Sequence, residues 1–177
     1  MTSIRLEPWD EDDLPLLRKT LGDPEMTEHL GGPETEEKLA ERQRRFERLA
    51  ETGAGRMFKI VDKETGQAVG SVGYWHRDWQ GDEVYEIGWM VIPEFQGRGI
   101  AAAATALAID HARADGGRSR IHAFPGVENA PSNAICRKLG FELVAEIDFE
   151  YPPGSTMRCN DWRLELFATQ PSAASAE

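Results

Sequence analysis

The sequence predicts one α/β domain of the α+β type, with helices flanking a mixed, mostly antiparallel sheet of about seven strands. Three observations support this. The chain has 177 residues, which fits a single domain. Apolar residues alternate with polar ones through residues 56–92, which indicates three antiparallel strands in succession. On both sides of this meander, stretches with helical periodicity lie next to short apolar strands.

The elements follow from local signals in chain order. Asp10 is a plausible N-cap and Gly22 a plausible stop for the first helix, and Gly140 stops the last one. An alanine-rich stretch after Gly99 favours a helix that packs closely on a sheet. The predicted strands are Ile4–Glu7, Met57–Val61, Ala68–Trp75, Val84–Ile92, Arg120–Phe124, Phe141–Phe149 and Met157–Phe167. The predicted helices are Asp10–Leu21, Glu34–Glu51, Gly99–Ala114 and Pro131–Leu139.

We expect the domain to span residues 1–168 and residues 169–177 to form a frayed polar tail. The formal net charge of −11 argues against a nucleic-acid partner, which would need basic patches. It favours a cationic substrate such as an amine. The two cysteines and four histidines do not cluster, so no metal site is predicted. No membrane span and no signal peptide are expected, which predicts a cytoplasmic protein.

The segment from Glu86 to Ala101 is predicted to form a strand, a tight turn and the start of a helix. Gly97 and Gly99 lack side chains, so main-chain N–H groups can approach a ligand closely. The first four N–H groups of a helix have no internal partners and carry the positive end of the helix dipole. Together these features predict an anion site suited to a pyrophosphate.

Two familiar phosphate motifs fit the turn poorly. The residues 97–102 match the G-x-G-x-x-A fingerprint of dinucleotide folds, but that fingerprint belongs at the first strand of a parallel βαβ unit. Here it follows an antiparallel meander in mid-chain. A P-loop would need a Gly-Lys-Ser/Thr ending, which is absent.

A third pattern resembles the GNAT acetyltransferase superfamily, whose cofactor motif is similar to Gln96-x-x-Gly99-x-Ala101 after a strand that ends at residues 91–93. The segment 128–133, followed by Lys138-Leu139-Gly140-Phe141, resembles the second cofactor motif of that superfamily. The opening of the chain is similar to the ribosomal-protein N-terminal (RimJ/RimL-like) branch, which acetylates protein N-terminal amines and various small amines. The resemblance covers roughly residues 4–167.

The resemblance implies an acyl-CoA N-acyltransferase fold, with a sheet splayed apart beside the strand that precedes the glycine turn. The pantetheine arm of acetyl-CoA would lie in that gap, and the pyrophosphate would bind the amides of the turn. Arg98 would add a charge contact or lie in solvent as an ordinary surface residue. The implied cofactor contacts are Met90, Val91, Ile92, Gln96, Gly97, Arg98, Gly99, Ile100, Ala101, Ala102, Asn129, Ser132 and Asn133. Asn129 and Ser132 could equally be helix N-capping residues.

For the chemistry, the resemblance implies that an amine attacks the thioester and that a main-chain N–H, that of Val91, stabilises the oxyanion. Glu86 is the candidate base, although it could be a strand-end carboxylate that faces water. Many relatives carry a tyrosine acid where this chain has Cys136. The acid is therefore Cys136, Ser132 or no dedicated residue.

The acceptor site is the least defined part of the sequence. Trp75, His76 and Trp79 lie at a strand end, where aromatic residues could line a pocket for a cationic or planar substrate. Tyr151 could form another wall. Packing of the hairpin is the competing explanation for the two tryptophans.

The sequence thus predicts an enzyme that transfers the acetyl group of acetyl-CoA to a primary amine of a small molecule or a protein N-terminus, by direct attack in a ternary complex. The negative charge favours a small cationic amine. A non-catalytic acyl-CoA-binding or sensing module is the alternative, and transfer of a longer acyl group is a third possibility. A homodimer could form if the final strand were exposed and paired across a two-fold axis.

Overall fold

The structure is a computed structural model that describes residues 2–168. The predicted tail, 169–177, lies outside the described residues. All seven predicted strands form one sheet, in the order β1-β2-β3-β4-β5-β7-β6. The strands are β1 (Ile4–Pro8), β2 (Gly55–Asp62), β3 (Ala68–Trp79), β4 (Asp82–Val91), β5 (Arg120–Ala123), β6 (Glu142–Glu150) and β7 (Thr156–Glu165). The helices are α1 (Leu14–Lys19), α2 (Glu36–Glu51), α3 (Ile100–Asp115) and α4 (Ala130–Lys138).

The sheet is mixed, as predicted. The pair β4–β5 is parallel, and every other neighbouring pair is antiparallel. Helices cover both faces, which follows from two adjacent residues of β3. Tyr74 donates a hydrogen bond to Asp115 at the end of α3, whereas Trp75 lies beneath Arg45 of α2. Because neighbouring side chains of a strand point to opposite faces, α3 and α2 lie on opposite sides of the sheet.

Some boundaries differ from the predictions for local reasons. α1 is shorter than predicted because its first turn carries Pro15 and begins after Asp13 rather than Asp10. The β3–β4 hairpin is longer than predicted because Gln80 and Gly81, with φ of 50° and 86°, form a two-residue turn. Positive φ at both central residues matches the twist of paired strands, so the ladder continues to the hairpin tip.

The final strand is not exposed, which corrects the basis of the dimer prediction. β7 lies between β5 and β6 and pairs with both, so it has no free edge. The edge on this side of the sheet is β6, where Leu143 and Val144 are exposed. Within residues 2–168, no helix is both long enough and apolar enough to span a membrane.

Candidate active site

The sheet opens beside β4, at the strand that precedes the glycine turn. β4 and β5 pair only at Tyr85–Ile121 and Glu86–His122 within the described residues. β4 then continues to Val91 with its ladder on β3 alone. The two strands therefore part after Glu86, which leaves one edge of β4 unpaired along its last residues.

Main-chain amides at alternate residues of β4 face this gap. The Ile92 N–H donates to the Val69 carbonyl at 2.9 Å, on the β3 side. Because backbone groups alternate along a strand, the Val91 N–H points to the opposite side, into the gap, and Met90 again faces β3. Of the three residues predicted to pair with a pantetheine arm, only Val91 thus offers its amide. The amide groups of Met90 and Ile92 are directed to the sheet, which corrects that part of the prediction.

The glycine turn joins β4 to α3 by way of a short 3-10 helix, Pro93–Phe95. Gly97 and Gly99 have φ of 72° and 76°, a left-handed conformation that favours glycine. Gly99 is the residue that caps α3. The side chain of Gln96 is not free for a ligand at its nitrogen, because Nε2 donates to the Val91 carbonyl at 2.9 Å. Gln96 therefore fixes the turn against the strand end, and an anion site on the main-chain amides of the turn stays a prediction.

Arg98 folds back onto the turn rather than extending from it. Its Nη2 donates to the Glu94 carbonyl at 2.9 Å, and its guanidinium lies 4.9 Å from the Phe95 ring centroid. The nearby cavity of about 350 Å³ is lined partly by Asp62 and Glu64. Those carboxylates would repel a pyrophosphate, so this cavity is not assigned to the anion.

The start of α4 contains the other predicted cofactor residues, and they divide into two groups. The Asn129 side chain caps the helix by accepting from the Ser132 N–H at 3.2 Å, while the Ser132 hydroxyl is partly accessible. Asn133 is buried, and its amide makes four hydrogen bonds, to Gly126, Asn129, Asn160 and Trp162. Its donors and acceptor are saturated by the protein. We therefore remove Asn133 from the cofactor contacts.

Cys136 is fully enclosed, with 0% of its surface exposed. Burial raises the pKa of its thiol to about 12. A proton donor must reach the leaving group. Cys136 is enclosed by the protein and does not meet this condition, so it is removed from the candidate acids.

Glu86 lies on the last rung that joins β4 to β5, where the sheet opens. Its Oε2 accepts from Trp75 Nε1 at 3.2 Å and from Arg77 Nη1 at 2.8 Å. Both bonds use the same oxygen, and its side chain is 15% exposed. Among the described residues no hydrogen bond involves Oε1, which leaves that oxygen to accept a bond from a ligand.

The aromatic side chains next to Glu86 already hold a cation of the protein. The Arg77 guanidinium lies 4.6 Å from the Phe149 ring centroid and 5.6 Å from the centroids of Trp79 and Phe124. Trp79 itself contacts Phe124 edge to face. The pocket that the sequence suggested for a cationic substrate at Trp79 is therefore filled by Arg77.

His76 does not belong to this cleft. It stacks on Tyr85 at 5.4 Å between ring centroids, on the α3 face of the sheet and opposite to Trp75 and Glu86. His76 therefore lies on the face of the sheet opposite to Glu86, and substrate binding by His76 stays a prediction. Tyr151 lies on the α2 side of the sheet, as Trp75 does, since its hydroxyl is 3.5 Å from Arg42 Nη2. Burial raises the pKa of Tyr151, although the positive charge of Arg42 opposes this.

Sequence reasoning missed several charged residues of the cleft. Arg42 pairs with Glu34, and Arg45 lies 5.8 Å from the Trp75 ring centroid. Both arginines belong to the predicted helix Glu34–Glu51, whose pattern does not mark them as part of a site. A helical pattern cannot show that side chains of a distant strand and loop will lie against these arginines.

The sequence also did not indicate a buried pair formed by a histidine and an aspartate. His122 Nδ1 lies 2.6 Å from Asp161 Oδ1, and Trp79 Nε1 donates to the other oxygen of Asp161 at 3.0 Å. His122 is the register partner of Glu86 across the β4–β5 rung. Nothing in the sequence indicates that β5 and β7 pair at these positions.

An open sheet edge, an inward main-chain N–H and a glycine turn that begins a helix define a fold and site of the acyl-CoA N-acyltransferase class. Residues 3–142 match the family described as the acetyltransferase (GNAT) domain. The chain therefore belongs to the GNAT acetyltransferase family.

Solved structures share the fold over nearly the whole chain. An acetyltransferase from Agrobacterium tumefaciens aligns at a TM-score of 0.75 and 21% identity, over 92% of this chain and 90% of that one. Spermidine N-acetyltransferase from Vibrio cholerae, in complex with CoA and spermine, aligns at 0.76 and 16%, over 94% and 97%. An acetyltransferase from Salmonella typhimurium that modifies the N-terminal serine of ribosomal protein L7/L12 aligns at 0.75 and 20%, over 93% and 96%.

A curated relative matches a shorter segment. Mycothiol acetyltransferase from Saccharomonospora viridis is 44% identical over 73 residues, which are 41% of this chain. The match spans only 22% of that protein.

Proposed function

We propose that the chain acetylates a primary amine of a small molecule or a protein N-terminus by direct attack of the amine on acetyl-CoA within a ternary complex. One observation carries the proposal. β4 and the turn after it border the gap that opens after Glu86, and they carry in order a carboxylate with one oxygen free of protein hydrogen bonds, the inward Val91 N–H and the amides of the glycine turn. These are the parts that binding and aminolysis of a thioester require.

The proposed cofactor contacts are made mainly by the main chain. The pyrophosphate binds the amides of Gly97 through Ala102, where the left-handed glycines and the start of α3 expose unpaired N–H groups. The pantetheine arm lies along β4 and bonds to the Val91 amide. Asn129 and Ser132 contact its far end from the start of α4, consistent with their partial exposure.

In the proposed reaction, the amine nitrogen forms a bond to the thioester carbonyl carbon, and the carbon–sulfur bond breaks. The Val91 N–H donates to the oxygen that gains negative charge. Glu86 Oε1 accepts the amine proton, while Oε2 stays held by Trp75 and Arg77. The sulfur leaves as a thiolate and takes a proton from the Ser132 hydroxyl or from solvent.

Acceptor contacts in this proposal come from Trp75 and Tyr151, which lie on the cleft side of the sheet. Trp79 shapes the wall by holding Arg77 in place. A cytoplasmic location, a single domain over residues 1–168 and a homodimer remain predictions.

Release of free CoA thiol, measured with acetyl-CoA and a panel of amines, tests the proposal. An acetyltransferase releases thiol only when a suitable amine is present, and the product carries one added acetyl group by mass spectrometry. The alternative, a non-catalytic acyl-CoA-binding module, would bind CoA tightly and release no thiol with any amine. Propionyl-CoA and longer thioesters in the same assay give the acyl range.

A further inference from the structure

Three arginines lie on the acceptor side of the cleft, and they differ in their carboxylate partners. Arg42 pairs with Glu34 and Arg77 pairs with Glu86, whereas Arg45 has no carboxylate partner within residues 2–168. Unpaired surface cations are common, and what distinguishes Arg45 is its position.

Arg45 and Glu86 contact the same indole. The Arg45 guanidinium carbon lies 5.8 Å from the Trp75 ring centroid, and Glu86 Oε2 lies 3.2 Å from Trp75 Nε1. A ligand with one group bound to Glu86 would therefore contact Arg45 through a second group, separated from the first by about the width of the indole ring. Tyr151, which contacts the neighbouring Arg42, is the third member of this group.

The surroundings of Arg45 favour a negatively charged partner. Arg45 is an exposed residue whose guanidinium lies against Trp75. Partial desolvation there, followed by the positive charge of Arg42, lowers the pKa of Arg45, and the charge of Glu86 only partly offsets this. An arginine stays protonated in such a place, so it gains from an added anion. The planar guanidinium binds a carboxylate through two parallel hydrogen bonds.

We propose that the acceptor is a small amine that also carries a carboxylate, with its amine at Glu86 and its carboxylate on Arg45. The inference rests on the proposed function, because it names the substrate class of the same site. It departs from the cationic amine that the net charge of −11 favoured. That charge acts over distance and is screened beyond roughly 8 Å at physiological salt, so adjacent groups decide specificity. A diamine would place its second ammonium against Arg45, where like charges repel.

Matched amines test the substrate class. The panel contains α-amino acids, the same amino acids as carboxamides, and diamines of similar length, each assayed for kcat/KM by thiol release. We expect the carboxylate form to exceed its carboxamide by about tenfold, the effect of one charge-assisted hydrogen bond pair, mostly through a lower KM. Amine basicity cannot produce this preference, because neutralising the carboxylate lowers the amine pKa and increases the free amine.

Two variants assign the effect to one residue. Arg45→Met keeps an apolar stem over Trp75 but removes the charge, and we expect the carboxylate-to-carboxamide ratio to fall to near one. Arg44→Met removes the adjacent exposed arginine and should leave the ratio as in the wild type. CoA titration shows that both variants are folded.

The outcomes separate the two proposals. No thiol release with any amine overturns the proposed function. Release without a preference for carboxylates, or with a preference for diamines, overturns the inference alone. A carboxylate preference that survives Arg45→Met overturns the role of Arg45.

Discussion

The two halves of the active site are built from different parts of the chain. On the cofactor side, the proposed anion site belongs to one continuous segment from Val91 to Ala102 and consists mainly of main-chain N–H groups. On the acceptor side, side chains converge from α2, β3, β4 and the loop after β6. A main-chain site depends on backbone conformation, so it tolerates many side chains. A side-chain site depends on each residue and can change its substrate by single substitutions.

The largest expected effect is on the cofactor side. Gly99→Val places a β-branched side chain at φ of 76°, where only glycine is unstrained, and crowds the turn amides. We expect CoA affinity to fall about 100-fold or more, as measured by calorimetric titration, because several hydrogen bonds to one anion are lost together. Gly53→Val is the matched control, since Gly53 has φ of 70° after α2. If both variants bind CoA equally, the turn is not the anion site.

Glu86→Gln should act on catalysis and spare the cofactor. The amide keeps the shape of the carboxylate and can still accept a bond from Trp75, but it cannot take a proton. We expect kcat to fall about 100-fold, the usual scale for a general base, with CoA affinity unchanged. Steady-state thiol release and CoA titration measure the two quantities. An unaltered kcat would exclude Glu86 as the base.

The far end of α3 allows a test of stability apart from function. Asp115 accepts hydrogen bonds from Arg56, at 2.8 Å, and from Tyr74. These bonds, the one from Arg56 first, lower the pKa of Asp115. Asp115→Asn should reduce the free energy of unfolding by about 1–2 kcal/mol at pH 7, the cost of weakened bonds to a charged group. Urea unfolding gives this value.

The pH dependence of that difference has a definite sign. A lowered pKa in the folded state stabilises the protein at pH values above the unfolded carboxyl pKa of about 3.9. The contribution is lost as the pH falls through the lower, folded-state value. The stability difference between wild type and Asp115→Asn should therefore shrink in acid. A difference that grows in acid would contradict the assigned cause.

Cys136→Ala should have the smallest effect on activity. The thiol is enclosed and its pKa is about 12, so it takes no part in proton transfer. We expect kcat to stay within about twofold of the wild type, below the effect of losing a general acid. Ser132→Ala in the same assay supplies the comparison, with a larger fall expected if its hydroxyl protonates the thiolate. A large loss in Cys136→Ala without loss of stability would restore the thiol as a candidate.

The sequence predicted the fold and the glycine turn because their signals are local. Alternation, glycine positions and helix starts can be read within short windows, and Gly97 and Gly99 adopt the left-handed conformation that the motif requires. The surroundings of His76 and Asn133 could not be predicted, because sequence proximity to a site does not determine which face a side chain takes. Arg45, Arg77 and His122 were missed because their partners lie on elements that are distant along the chain.

The most direct test of the account is a calorimetric titration of the wild-type protein with CoA and, separately, with NAD. A turn that follows an antiparallel meander and borders an open sheet edge predicts saturable binding of CoA at one site per chain and no binding of NAD. Binding of NAD without CoA would contradict the account, because the glycine turn would then belong to a dinucleotide site.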